Sequence, residues 1–178
     1  MNPNNETLES LEKEPKELYH ASDNKELQEF ESRKEKIRNP NEGPVVFATK
    51  DKAYASMFIV RSDDAWTIKG QSGNDFFIGI ADRKRYEVTD KGGAIYTFAT
   101  KGFLTEPNQR GIRSKEWVSR ENVRPVSKQI YSSGLEAMKS LGVKIFFINY
   151  DLLREINKLF KERRNEEAVD LLFKQQEE

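Results

Sequence analysis

The stretch that decides the fold is WTIKGQSGNDFFIGIADRKRYEVTDKGGAIYTFATKGF, from Trp66 to Phe103. It contains four runs rich in aromatic and β-branched residues, namely WTIKG, FFIGIAD, YEVTD and AIYTFAT. The segments GQSGND, DRKR and DKGG separate these runs, and short spacers of this kind are typical of hairpins. The stretch therefore predicts four strands in an antiparallel sheet.

The sequence on either side of this stretch predicts further strands and helices. KDKAYASMFIV predicts a helix with Thr49 as its N-cap, and SGLEAMKSLGV predicts a helix that ends at Gly142. VKIFFINY predicts either a buried strand or the start of a helical tail. The remaining predicted strands are ELYHA at 17–21, PVVFAT at 44–49, KEWVS at 115–119 and VRPVSKQIYSS at 123–133.

The length of 178 residues fits one domain with tails. Residues 1–17 are polar and acidic and predict a flexible N-terminal tail, and residues 18–149 predict the folded domain. Residues 150–178 predict an amphipathic helical extension, which either packs on the domain or forms an oligomer or partner contact. Its apolar stripe consists of Leu152, Leu153, Ile156, Leu159, Phe160, Ala168, Val169, Leu172 and Phe173.

The composition restricts the class of function. Thirty basic and thirty acidic residues give a formal net charge of zero, which does not indicate nucleic acid or an anionic membrane as a partner. With no cysteine and one histidine, thiolate chemistry is excluded and a zinc site is disfavoured, so no metal is expected. No apolar run is long enough for a bilayer, and the N-terminus lacks a signal-peptide pattern, so we expect a cytoplasmic protein.

Common catalytic and nucleotide-binding motifs are missing from the sequence. GQSGND does not have the Gly-x-Ser-x-Gly spacing of a nucleophile elbow. There is no P-loop, and no Gly-x-Gly-x-x-Gly follows a predicted strand. These gaps disfavour a common serine hydrolase, a P-loop enzyme and a Rossmann dehydrogenase.

Three segments in order resemble the ADP-ribosyltransferase superfamily, in its histidine–tyrosine–glutamate branch of the diphtheria-toxin and poly-ADP-ribose-polymerase type. LYHAS (18–22) is similar to the branch's aromatic-His-Gly-Ser/Thr strand. PVVFATKDKAYASMF (44–58) is similar to its following strand and helix, and SKEWVSRENVRPV (114–126) to its late strand with a glutamate. The resemblance runs from Leu18 to about Tyr131 and implies an α+β fold with a split antiparallel or mixed β-sheet and flanking helices.

The resemblance implies cleavage of the nicotinamide–ribose bond of NAD, which is the substrate, and mono-ADP-ribosylation of an unknown macromolecular or small-molecule acceptor. Glu116 is the implied catalytic carboxylate, because such a reaction develops positive charge on the ribose. His20 is the implied second catalytic residue and fixes the pose of the cofactor, while Tyr54 stacks on the nicotinamide. The loop 29–41 is expected to close over the cofactor. The residues implied to bind the cofactor are His20, Ala21, Ser22, Phe47 and Tyr54.

The chain departs from the family pattern at three positions. Ala21 stands where glycine is usual, and Val46 aligns with the tyrosine that gives the branch its name. Ser114 lies two residues before Glu116, where arginine-modifying members carry a carboxylate or amide, so an arginine acceptor is disfavoured. These departures leave open two alternatives: an RNA 2′-phosphotransferase-like enzyme, and a non-catalytic binding or regulatory module on the same fold.

Each candidate residue also has a purely structural interpretation. His20 could end a strand with its ring hydrogen-bonded to a carbonyl, and Tyr54 could belong to the core. Glu116 could face solvent, with Trp117 pointing inward and Val118 outward. The residues expected in the core are Phe47, Phe58, Phe76, Phe77, Phe146 and Phe147.

Overall fold

A computed structural model describes residues 15–32, 43–105 and 115–176. The strands within these ranges are β1 (Glu17–Ser22), β2 (Val46–Thr49), β3 (Thr67–Ser72), β4 (Asp75–Ile80), β5 (Gly93–Ala99), β6 (Leu104–Thr105), β7 (Glu116–Ser119), β8 (Ser127–Tyr131) and β9 (Lys144–Phe147). The helices are α1 (Lys52–Ser56), α2 (Arg83–Thr89), α3 (Gly134–Ser140), α4 (Tyr150–Lys161) and α5 (Asn165–Phe173), followed by a 3₁₀ turn at Lys174–Gln176.

The strands form two separate sheets. The first has six antiparallel strands in the order β6-β7-β2-β1-β5-β8. The second has the order β3-β4-β9, with β3 and β4 antiparallel and β4 and β9 parallel. This architecture confirms the predicted α+β class with antiparallel and mixed sheets.

The ladder between β1 and β2 is open along most of its length. One residue pair, Tyr19 with Thr49, joins these strands. On their outer sides the same strands are fully paired, β1 with β5 through six residue pairs and β2 with β7 through four. We call the region between residues 20–22 of β1 and residues 46–48 of β2, beyond the single pair, the β1–β2 opening.

Within the described ranges, three apolar clusters hold the layers together. The largest contains side chains from both sheets, among them Ile78 and Ile95, together with Tyr54 of α1 and residues of α3. A second cluster covers the other face of the first sheet around Phe30 and Tyr96. The third joins the outer face of the second sheet to the two C-terminal helices; its buried members are Ile68, Phe77, Phe146, Leu153, Ile156, Leu159, Ala168 and Leu172.

The C-terminal apolar stripe therefore packs against the domain. Leu153, Ile156 and Leu172 are at most 2% exposed, so one of the two interpretations of the stripe, packing, is confirmed. The partner contact at this extension and the domain boundaries stay predictions. Among the described residues, none of the helices has both the length and the hydrophobicity that a membrane crossing would need.

Three secondary-structure predictions were wrong. The runs from Trp66 to Phe103 do not form one antiparallel sheet, because β3 and β4 belong to the second sheet and β5 to the first. YEVTD, predicted as a strand, lies in α2, because the Asp82 carboxylate caps this helix by accepting from the Arg85 N–H at 2.9 Å and Tyr86 is buried. The N-cap of α1 is Asp51, not Thr49: its side chain accepts from two backbone N–H groups of the first turn. That helix ends at Ser56 and is shorter than the predicted KDKAYASMFIV.

The six predicted core phenylalanines differ in burial, and Phe47 is partly buried. Phe76, Phe77 and Phe146 are at most 4% exposed, as predicted. Phe58 and Phe147 are 43% and 41% exposed, so their assignment to the core was wrong. Both lie beside a cation, since Lys69 Nζ is 5.2 Å from the ring centroid of Phe58 and the Arg83 guanidinium is 4.4 Å from that of Phe147.

Candidate functional site

His20 lies at the border of the β1–β2 opening. Its Nδ1 is 2.6 Å from the carbonyl oxygen of Phe47 on β2. This hydrogen bond requires the proton on Nδ1, so in the neutral ring Nε2 is an acceptor. The ring also meets Phe30 edge-on, with centroids 4.9 Å apart. The structure thus brings together two of the predicted cofactor-binding residues, His20 and Phe47, by a direct contact.

Ala21 and Ser22 complete the β1 side of the opening. Ala21 is 8% exposed and belongs to the cluster shared by both sheets. The Ser22 hydroxyl accepts from the Asn24 N–H at 3.1 Å, which ends the strand in a local turn. The next residue, Asp23, pairs with Arg61 at 2.7 Å. The end of β1 is therefore held by side chains on both sides of the turn.

Tyr54 and Glu116 form the second pair of predicted site residues that the structure brings together. The Tyr54 hydroxyl donates to Glu116 Oε1 at 3.2 Å, and so links α1 to the first residue of β7. Tyr54 is 3% exposed, with its ring against Phe58 at 5.1 Å and Phe76 at 5.6 Å. Its ring thus belongs to the core, as in the structural interpretation, while its hydroxyl reaches the candidate carboxylate.

The side chains of His20 and Glu116 lie on opposite faces of the first sheet. Tyr19, Thr49 and Glu116 are paired across β1, β2 and β7, so their side chains share one face. Alternation along β1 places His20 on the other face. The contacts agree, because His20 packs on Phe30 in one cluster and Glu116 contacts Tyr54 in another.

The strand around Glu116 also differs from its structural interpretation. Val118 is 3% exposed, whereas Glu116 and Trp117 are both partly buried. The expectation that Val118 points outward was wrong, because β7 is covered on both faces near its centre. Ser114 and most of the loop 29–41 lie outside the described residues.

Lys69 is a candidate site residue that the sequence argument missed. Its ammonium donates to the Ser62 hydroxyl at 2.6 Å. Burial lowers the pKa of Lys69 to about 8, against the opposing effect of Asp64 and Asp63. The sequence did hold a signal: in the hairpin around GQSGND, Lys69 pairs with Ile78, a fully buried residue on the side that faces the first sheet.

A groove of about 540 Å³ runs along the outer edge of β3 toward the start of β7. Its volume lies within the range of small-molecule sites, roughly 300–1,000 Å³. Its polar lining consists of two lysines and two amides, with no carboxylate among the lining residues: Lys69, Gln71, Lys115 and Asn165.

In the part of the chain that the structure describes, no three histidine, aspartate or glutamate side chains come together as ligands for a metal ion. Comparisons of the chain with models of protein families, with curated proteins and with solved structures found no match.

Proposed function

We propose that this protein is an NAD-dependent mono-ADP-ribosyltransferase. The observation that carries the proposal is the position of the three motif strands. LYHAS, VVFAT and KEWVS are far apart in the sequence, but they lie on β1, β2 and β7, which are consecutive in the sheet order β7-β2-β1. Two contacts between candidate residues lie in this part of the sheet, His20 with the Phe47 carbonyl and Tyr54 with Glu116.

In the proposed reaction the bond between ribose C1′ and the nicotinamide nitrogen breaks, and its electron pair leaves with nicotinamide. The acceptor's nucleophile then bonds to C1′ and releases its proton. Glu116 would hydrogen-bond a ribose hydroxyl and stabilise the positive charge on the sugar. Tyr54 is a positioning residue in this scheme, because its hydroxyl holds Glu116 Oε1 at 3.2 Å.

The β1–β2 opening supports a role for His20 despite its position on the other face. A gap between strands is bordered by side chains of both faces and by the strand backbones. In the proposed complex the dinucleotide would contact His20 at the opening and would extend past β2, on the other face of the sheet, to reach Glu116 on β7. With Nδ1 bound to the Phe47 carbonyl, Nε2 is the ring atom that would accept from a ribose hydroxyl.

Phe58 takes the stacking role that the sequence argument gave to Tyr54. Tyr54 is enclosed, whereas the neighbouring ring of Phe58 is 43% exposed. A planar nicotinamide ring stacks favourably on such a surface. The assignment keeps the aromatic contact near Glu116, because Tyr54 touches both residues.

The test is release of nicotinamide from NAD by the purified chain. We expect the wild type to release nicotinamide and Glu116→Gln to lower kcat by about 100-fold or more, a typical loss for a charge-stabilising group. Glu121→Gln, the same change at an exposed residue just after β7, is the matched control and should retain activity. Unchanged turnover by a folded Glu116→Gln variant would refute the assignment.

A non-catalytic nucleotide-binding module is the second candidate. The opposite-face placement of His20 and Glu116 and the enclosure of Tyr54 favour it. The two functions separate in one experiment. For the module, NAD would raise the melting temperature by binding the native state without any release of nicotinamide.

A further inference from the structure

We infer that Lys69 is the residue that recognises the anionic part of the ligand, and that the site accordingly selects phosphate-bearing nucleotides over the corresponding nucleosides. The inference rests on the proposed function, because it assigns a second recognition element to the same site. Lys69 belongs to β3, in the second sheet, so residues from both sheets would contact the ligand.

A chain of side-chain contacts connects Lys69 to the candidate carboxylate. Glu116 accepts from Tyr54 at 3.2 Å, and the Tyr54 ring lies 5.1 Å from that of Phe58. Lys69 Nζ is 5.2 Å from the centroid of Phe58. An exposed aromatic ring with an ammonium beside it matches a nucleotide, which carries a planar base and negatively charged phosphates.

The surroundings of Lys69 leave its charge incompletely balanced. An ammonium has three N–H donors, and Ser62 Oγ is the acceptor that the described residues supply for them. Asp63 and Asp64 act on the ammonium only through space, and the side chain has no ion-pair partner within 4.0 Å in the described ranges. A phosphate oxygen would accept a charge-assisted hydrogen bond from a second N–H group of the ammonium.

The charged groups around Lys69 determine how binding depends on pH. Asp63 and Asp64 precede β3, Glu116 lies beyond Tyr54, and Lys115 lines the same groove. Burial lowers the pKa of Lys69 to about 8, so part of the population is neutral at mildly alkaline pH. An anion favours the protonated form, hence affinity should be highest below pH 8 and should fall as the pH rises through that value.

A purely structural role would give different results. If Lys69 only covers the ring of Phe58 with its aliphatic chain, methionine should replace it without loss of affinity. Binding would then be independent of pH near 8. Both expectations can be measured in the full chain.

The experiment measures binding of ADP-ribose, NAD and adenosine by calorimetry at pH 6.5, 7.5 and 9. For Lys69→Met we expect at least tenfold weaker binding of ADP-ribose at pH 7.5 and no pH dependence between 7.5 and 9. Lys69→Arg should retain binding and also lose the pH dependence, because arginine stays charged. Lys144→Met, at an exposed position on the far strand of the same sheet, is the matched control and should bind like the wild type.

Four results would overturn the inference: equal affinity of the wild type for adenosine and ADP-ribose, equal affinity of Lys69→Met and wild type for ADP-ribose, an equal loss in Lys144→Met, or no binding of ADP-ribose and NAD by the wild type. Nicotinamide release, assayed separately, distinguishes this failure from failure of the proposed function. Lys69-dependent binding without turnover would refute the transferase and leave the inference intact. Turnover with unchanged kcat/KM in Lys69→Met would support the transferase and refute the inference about Lys69.

Discussion

Asp90 provides the sharpest test of how the fold is held beside the candidate site. Its carboxylate Oδ1 accepts from the N–H groups of Gly134 at 2.6 Å and Gly92 at 3.0 Å. Its Oδ2 accepts from the Ser133 hydroxyl at 2.8 Å and the Leu135 N–H at 3.1 Å. The residue therefore satisfies the first amides of α3 and fixes them to the turn before β5, the strand that pairs with β1.

The magnitude follows from these four hydrogen bonds. A hydrogen bond to a charged group contributes about 1.5 to 3 kcal/mol, and bonds that share one partly exposed carboxylate add up to less than their sum. Asp90→Ala removes all four, so we expect a loss of about 3 to 4 kcal/mol in the free energy of unfolding. Asp90→Asn keeps one acceptor oxygen but replaces the other by an NH2 donor, which then faces the Leu135 N–H donor. We expect this substitution to lower the free energy of unfolding by about 2 kcal/mol.

The effect should also depend on pH. Burial alone would raise the pKa of Asp90, but hydrogen bonds from Gly134, Leu135, Ser133 and Gly92 hold this pKa below its ordinary value. Because the pKa is lower in the folded than in the unfolded state, the stabilisation is complete above the unfolded pKa, about 3.9, and is lost as the pH falls through the folded value. The advantage of wild type over Asp90→Asn should thus be full at pH 7 and shrink below about pH 4.

Urea denaturation followed by far-ultraviolet circular dichroism at pH 7 and at several values between 4 and 2.5 measures both quantities. Asp75→Asn, the same change at an exposed position at the start of β4, is the control and should shift the free energy of unfolding by less than about 0.5 kcal/mol. A loss below about 0.5 kcal/mol for Asp90→Asn at pH 7 would refute the reasoning. So would a gap that stays constant down to the lowest pH at which both proteins are folded.

Two further substitutions test the second sheet by urea denaturation. Gly70→Ala should destabilise by about 1 to 3 kcal/mol, because a Cβ there would lie 2.3 Å from Cζ of the buried Phe77 ring; an effect no larger than that of Gln71→Ala would contradict this. Leu172→Ala should cost about 2 to 5 kcal/mol, because Leu172 is fully buried between α5 and the second sheet, whereas Leu104→Ala, at a residue that is 67% exposed, should be nearly neutral. Equal effects of the two leucine substitutions would show that the C-terminal helices do not contribute to the stability of the domain.

The parts of the fold that depend on local chemistry could be predicted from the sequence. The turn GQSGND between two β-prone runs gave the β3–β4 hairpin, and Gly142 marked the end of α3. The prediction for YEVTD failed because β-propensity is overridden by tertiary context. Asp82 caps that segment as a helix and burial of Tyr86 holds it there.

The arrangement of the strands lay beyond local reasoning. The parallel pairing of β4 with β9 joins segments far apart in the chain, and turn residues in the sequence do not predict a pairing of this kind. For the site, the motif resemblance selected His20 and Glu116, which the sheet order then placed two strands apart. Lys69 was missed because a lysine in a β-prone run is ordinarily a solvent-facing residue, and its pairing with the buried Ile78 across the hairpin was not considered.

The β1–β2 opening shows how a sheet can leave a gap at its centre and still be stable. A strand pair joined at one residue contributes few hydrogen bonds, so each strand must be held from its other side. Here β1 is held by six residue pairs to β5 and β2 by four pairs to β7, while His20 spans the gap to the Phe47 carbonyl. Backbone groups beside the gap that do not pair between the two strands need other hydrogen-bond partners, and in the proposed function the dinucleotide would be one of them. The topology that brings the three motif strands together thus also produces the opening at which we propose that a dinucleotide binds.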